Sequence, residues 1–425
     1  MKTETSFVIK GNICYSTDTM KICYAPNSYL VCENGICSGV YESLPMQYAA
    51  FPLTDYSDYV IIPGLSDLHL HAPQYSFTGL SMDKELLDWL NLYIFPEESK
   101  YKDENYAREA YDEFVKEVKY GATTRACVFA TIHQKSTCYL MDALERAGLA
   151  GYVGKVNMDR NSPKELCEDT NMSLQDTHHW IEESLTHYQN IKPIITPRFV
   201  PSCSDELLQK LAQLAIQYSL PIQSHLSENP EEIKWVKELV PDANCYAAAY
   251  AKFGLLQPSL KTVMAHCVYS DEEEIHLLKT SNTFIAHCPQ SNTNLSSGIA
   301  PIRRFLDQKL NVGLGSDIAG GHDSSILRAM ADSIQVSKLR WRLVDNKLKP
   351  LTVEEAFFLG TRGGGAFFGK VGSFEKGFLF DAVVLDDHKL ASVRPYSLAE
   401  RLEKIIYLSE RCNIVRKYIN GKAVF

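Results

Sequence analysis

The 425-residue chain contains no apolar run approaching the ~18 residues that a membrane helix requires. Its opening stretch, MKTETSFVIKGN, has only Phe7, Val8 and Ile9 as consecutive apolar residues, short of the hydrophobic stretch of a secretory signal. A cytoplasmic location without a membrane partner is expected. An excess of basic charge is missing as well. The 43 Lys and Arg residues stand against 52 Asp and Glu, a formal charge of −9 that opposes nonspecific attraction to nucleic acid. The 12 cysteines are scattered along a long chain and include no C-x-x-C pair, so a disulfide scaffold is not indicated. Cys127, Cys267 and Cys288 lie in apolar, strand-like runs and are expected to pack as small hydrophobes. Neither H-E-x-x-H nor an H-x-E pair with P-C-x-x-C occurs. The glycines of GLGSDIAGG from Gly313 match no phosphate-cradling spacing and read as a strand-end turn.

What is present is an ordinary globular balance, 45% hydrophobic and 22% charged, able to bury a large core. Strand-and-turn patterns occupy both ends: SFVIKGNICYS from Ser6, YLVCENGICSGVY from Tyr29, GFLFDAVVLDD from Gly377 and NIVRKYINGKAVF from Asn413. Asn34-Gly35 and Asn420-Gly421 read as tight hairpin turns. A small β-sandwich domain assembled from residues 1–63 and 370–425 is therefore expected. Between them, short apolar strands alternate with helix patterns. Eight strand candidates begin at Val60, Thr123, Gly151, Lys192, Pro221, Lys261, Thr283 and Asn311, the number that closes a (β/α)8 TIM-type barrel, placed at residues 64–369 in an α/β fold. Ala107, Tyr111, Phe114 and Val118 recur at helical spacing, as do Leu207, Leu211, Leu214 and Tyr218. Ser270 with Glu273, and Thr352 with Glu355, have capping-box spacing.

His69 and His71 stand one residue apart at the end of the first barrel strand, where a two-residue period turns both imidazoles to one side. An isolated H-x-H pair means little. Here His225 in QSHLSE, His266 in MAHCVYS and Asp317 in GLGSD each end a different candidate strand, on the face where barrel active sites are built. Imidazole and carboxylate ligands suit one divalent transition ion, Zn(II) before Fe(II). His69, His71, His225 and Asp317 are the expected metal ligands, leaving a position for a water that the ion would acidify. Glu228, three residues after His225, is the expected proton shuttle. Asp317 is expected to accept the water's proton, and His266 to hydrogen-bond the attacking oxygen or the developing charge, with direct metal ligation as the alternative. His287 in HCPQSN is expected to make a structural hydrogen bond.

With those motifs in place, the chain resembles the metal-dependent amidohydrolases over nearly its whole length, and within them the guanine-deaminating branch. The matching segments are PGLSDLHLHAPQYSFTG from Pro63, TPRFVPSCS from Thr196, HLSEN from His225, AHCVYSDEE from Ala265, HCPQSN from His287 and GLGSDIAGG from Gly313. The resemblance implies hydrolytic deamination of guanine, with substrate contacts at Gln74, Arg198 and Phe199, and a homodimer. Arg198 can donate to a purine carbonyl, Gln74 can donate and accept at the ring edge, and Phe199 can stack on the base. The rivals are a sister enzyme acting on another amino-heterocycle and a catalytically silent scaffold. Residues 76–98, with Trp89, Tyr93 and Phe95, are expected either to cover the site or to meet a second subunit.

Overall fold

The computed structural model describes residues 6–425; residues 1–5 of the opening stretch and of the expected terminal domain lie outside it. Four strands come first: β1 (Phe7–Ser16), β2 (Ile22–Glu33), β3 (Ile36–Tyr41) and β4 (Leu53–Pro63). Ten follow through the centre: β5 (Leu65–His71), β6 (Thr123–Phe129), β7 (Ala150–Gly154), β8 (Val156–Asn157), β9 (Ile191–Pro193), β10 (Thr196–Pro197), β11 (Ile222–Leu226), β12 (Thr262–His266), β13 (Phe284–His287) and β14 (Asn311–Leu314). The last three are β15 (Ala382–Asp386), β16 (Asn413–Ile419) and β17 (Lys422–Ala423).

Strands from the two ends share one seven-stranded sheet, ordered β17-β16-β15-β4-β1-β2-β3. Both Asn-Gly turns form as read. Asn34 and Gly35 have φ of 53° and 81°, Asn420 and Gly421 have 52° and 72°, the left-handed pair that a two-residue hairpin requires. The candidate strand from Val60 divides. Val60–Pro63 pairs with β1 and β15 in the terminal sheet, while Leu65 onward pairs with β6 in the central one. The break falls at Gly64, where a Cβ would lie 2.2 Å from Thr124 Oγ1.

The central strands form two four-stranded parallel sheets, β5-β6-β7-β9 and β11-β12-β13-β14, with β8 and β10 paired alongside. Backbone bonds join the groups at both seams. Ile195 bridges to Ile222, and Asp317 N donates to His69 O at 2.8 Å while His71 N donates to Ile318 O at 2.9 Å. Each of the eight central candidates overlaps an observed strand, and the central unit is α/β, its parallel strands joined around in the manner of a TIM-type barrel. Leu68, Cys127, Ile194, Val263, Ala265, Phe284, Ala286 and Cys288 pack together with Phe367 in one buried cluster drawn from successive strands. Burial raises the thiol pKa of Cys127, Cys267 and Cys288 well above its usual value, consistent with packing groups.

The helix Glu104–Tyr120 buries Ala107, Tyr111, Phe114 and Val118, the stripe expected from their spacing. Thr352 and Glu355 form the expected capping box. Ser270 does not cap its helix: Asp271 is the N-cap, accepting from Glu274 N, and Ser270 instead bonds the Glu274 carboxylate at 2.6 Å. An Asp side chain reaches the exposed backbone donors as well as a Ser does, so the neighbour displaced it. The terminal sheet docks on the barrel through buried charge. Arg125 of β6 grips Asp381 through Nε at 2.7 Å and Nη2 at 3.1 Å, and Lys417 of β16 donates to the carbonyls of Val118, Gly121 and Thr123.

Candidate active site

Parallel strands leave their C-terminal ends unfinished, and it is there that the five expected residues meet. His69 and His71 come from β5, His225 from β11, His266 closes β12, and Asp317 lies three residues beyond β14. The β5–β6 register slips between Asp67 and Leu70, yet both imidazoles of β5 reach the same oxygen. His69 Nε2 is 3.2 Å and His71 Nε2 3.7 Å from Asp317 Oδ1. His71 Nε2 and His225 Nε2 are 3.1 Å apart, and His266 Nε2 lies 3.7 Å from Asp317 Oδ2. Two of these residues adopt left-handed backbone, His266 at the end of β12 at φ 74° and Asp317 beyond β14 at φ 49°. Non-glycine residues hold that conformation only where surroundings impose it.

The donor atoms suit a cation. His225 Nδ1 lies 2.7 Å from Arg198 O and His266 Nδ1 2.9 Å from Asn292 Oδ1, both acceptors, so the proton sits on Nδ1 and Nε2 faces inward with its lone pair. Nε2 of His69 and of His266 are buried without a hydrogen-bond partner. Burial, reinforced by neighbouring positive groups, pushes the pKa of His69, His71 and His225 well below the usual range, keeping these rings neutral as ligation requires. Asp67, buried beneath, fixes two of the segments: it accepts from His69 N at 3.1 Å and from Ser316 N at 3.1 Å and Ser316 Oγ at 2.5 Å.

Glu228 is 2% exposed, with Oε2 3.3 Å from His266 Nε2 and Oε1 accepting from Ser297 at 3.3 Å. Burial first, and the Asp317 charge second, raise its pKa well above the carboxylate range, so its carboxyl tends to hold a proton. Glu232 follows in an acidic run of the sequence. It is buried: Oε2 accepts from the backbone N–H of Glu228 at 3.1 Å, and Oε1 from the Tyr246 hydroxyl at 2.8 Å. The spacing Asn229-x-x-Glu232, a capping box with Pro230 at the first helical position, was the available signal.

A cavity opens beside the cluster, and Gln74, Arg198 and Phe199 line it with His71, Glu228 and Asp317. Leu86, Trp89 and Leu90, from the segment 76–98, form part of its wall. Arg198 is 3% exposed and pairs with the buried carboxylate of Glu98, which also accepts from Gln74 Nε2 at 2.8 Å. Phe199 meets Trp235 edge to face at 6.3 Å. His287 is buried among these strands, but neither ring nitrogen makes the expected structural hydrogen bond. Glu98, Glu232, Asp67 and Asn292 are the supporting residues that the sequence reading missed. Asp67 lies inside the segment PGLSDLHLHAPQYSFTG and Asn292 ends HCPQSN, whereas Glu98 and Glu232 lie outside every matched segment.

The chain belongs to the amidohydrolase family, whose sequence model matches residues 60–424. Among curated proteins it is similar to the guanine deaminase of Dictyostelium discoideum, 37% identical over 98% of each chain. The guanine deaminase of Homo sapiens is 40% identical over 85% of this chain and 82% of that one. A crystal structure of guanine deaminase from C. acetobutylicum, with guanine bound in its active site, superposes with a TM-score of 0.96 at 46% identity, covering 99% of this chain and 100% of that chain.

Proposed function

We propose that this protein is a guanine deaminase, hydrolysing guanine to xanthine and ammonia in purine catabolism or salvage. One observation carries the reading: the cavity that holds the histidine–carboxylate cluster is also lined by Gln74, Arg198 and Phe199, in a chain this similar to guanine deaminases.

His69, His71, His225 and Asp317 would hold one divalent ion, for which their inward, neutral nitrogens and shared carboxylate are suited. Such an ion lowers the pKa of a coordinated water from ~15.7 toward roughly 7. Asp317 has a second oxygen, directed toward His266, to accept a proton from the attacking water. His266 hydrogen-bonds the oxygen as charge develops on it. Glu228, held in its proton-bearing form, gives that proton to the ring nitrogen; the proton that Asp317 takes from the water is then relayed through Glu228 to the departing amine, which leaves as ammonia. Arg198 donates to the purine carbonyl, Gln74 reads the ring edge, and Phe199 stacks on the base. This reading takes the ion to be zinc, with iron the alternative, the assembly to be a homodimer and the location cytoplasmic. It takes residues 1–63 and 370–425 as a composite β-sandwich domain beside the barrel of residues 64–369.

Ammonia release by the purified protein against a panel of purines, pyrimidines and triazines tests the substrate. Guanine should give the highest kcat/KM. Activity on another amino-heterocycle with none on guanine would move the assignment to a sister enzyme, and a protein without stoichiometric metal would be a scaffold.

A further inference from the structure

The carboxylate of Glu98 lies outside the cavity yet touches both polar residues that face a substrate there. It is 2% exposed; Oε1 accepts from Gln74 Nε2 at 2.8 Å, and Oε2 is paired with Arg198 Nη1. The other end of the Gln74 amide is also held, its Oε1 accepting from Ala319 N at 3.1 Å. Phe95 lies against the guanidinium at 5.0 Å from the ring centroid. The neighbouring Glu97 cannot substitute for Glu98, because Lys100, Tyr106 and Ser76 occupy it.

Two consequences follow from this arrangement. With both ends of the Gln74 amide engaged, one N–H and one oxygen lone pair remain for the cavity in a fixed order. More important is charge. A guanidinium buried without a counter-ion binds an anion far better than a neutral carbonyl, because either the ligand or the protein must neutralise it. Here the protein does so. We infer that Glu98 is a positioning and specificity residue: by serving as counter-ion to Arg198 it makes the carbonyl-binding corner of the cavity electrically neutral, so that it takes an uncharged lactam in preference to an anionic oxopurine. The inference rests on the guanine deaminase reading, and under it Glu98 also favours departure of the product, since xanthine ionises more readily than guanine.

The test compares wild-type, Glu98→Gln and Glu98→Asp proteins, each metal-loaded, by calorimetric binding of xanthine below and above the pH of xanthine's first ionisation, alongside steady-state turnover of guanine. Wild type should bind neutral xanthine better than its anion. Glu98→Gln should reverse that order by roughly ten- to hundredfold, the scale of an unpaired buried charge, and raise KM for guanine more than it lowers kcat. Glu98→Asp, which restores the charge, should recover much of the wild-type order. The double variant Glu98→Gln, Arg198→Gln should lose the preference for the anion, which separates charge from a general loss of shape. If the single variant keeps the wild-type order of neutral and anionic xanthine, or the double variant still prefers the anion, the inference is overturned while the function stands. Wild-type protein that releases no ammonia from guanine overturns the function, and the inference with it.

Discussion

Glu228 is buried beside a second carboxylate, and a proton on either of them spares the site a repulsion between like charges. That gives Glu228 the proton it must deliver. Glu228→Gln keeps size and burial but cannot shuttle, so metal content should be retained and kcat should fall by about 10²–10⁴-fold, measured by ammonia release and metal analysis. Near-normal turnover in the metal-loaded variant would remove Glu228 from the role. Asn292 acts one bond further out. Removing its oxygen by Asn292→Ala frees the His266 ring from the tautomer that aims Nε2 inward, and kcat should drop about 10–100-fold with little change in KM. The histidines, Asp317 and Glu228 were legible in the sequence because the chemistry requires those residue types at strand ends. Glu98 was not, since its partners stand 24 and 100 positions away and only folding brings them together. Glu232 escaped notice for a simpler reason: a carboxylate in an acidic run looks solvated until the backbone donors that it caps are seen.

Strands and their turns were the most readable elements, because Asn-Gly pairs and apolar runs have a local cause that the rest of the molecule does not alter. Register and division between sheets depend on contacts distant in sequence, and the strand from Val60 shows the limit: one continuous pattern serves two sheets. Close approach between β5 and the segment after β14 is a second such contact. A Cβ on Gly315 would lie 2.8 Å from Cys288 Sγ and 3.0 Å from His69 Cβ. Gly315→Ala should therefore push these strand ends apart. We expect a loss of about 1–3 kcal/mol in stability, as in other overpacked cores, with weaker metal retention than wild type. Thermal unfolding and metal analysis after dialysis check both effects, and an unchanged Tm with full metal content would show that the strands are not held so tightly.

At the scale of the whole molecule, the terminal sheet must stay seated on the barrel, and Lys417 is the sharpest probe of that seat. Burial pushes its pKa down from 10.5 to about 7. Between those values the unfolded chain binds more protons than the folded one, so this group adds stability as pH rises, whereas below about pH 7 the folded chain bears the full cost of a buried ammonium. Wild type should gain on Lys417→Met as pH is raised through that window, with a slope of up to about 1.4 kcal/mol per pH unit in denaturant unfolding. Parallel stability curves for the two proteins would contradict it. The seat itself left little trace in the sequence: its carbonyls belong to residues 118–123, nearly 300 positions from Lys417.

Chelated protein titrated with Zn(II) while guanine turnover is followed gives the most direct measurement of all. The account predicts negligible activity without metal and a linear rise that saturates at one equivalent per chain. Full turnover in demonstrably metal-free protein, or none at any metal content, would contradict it.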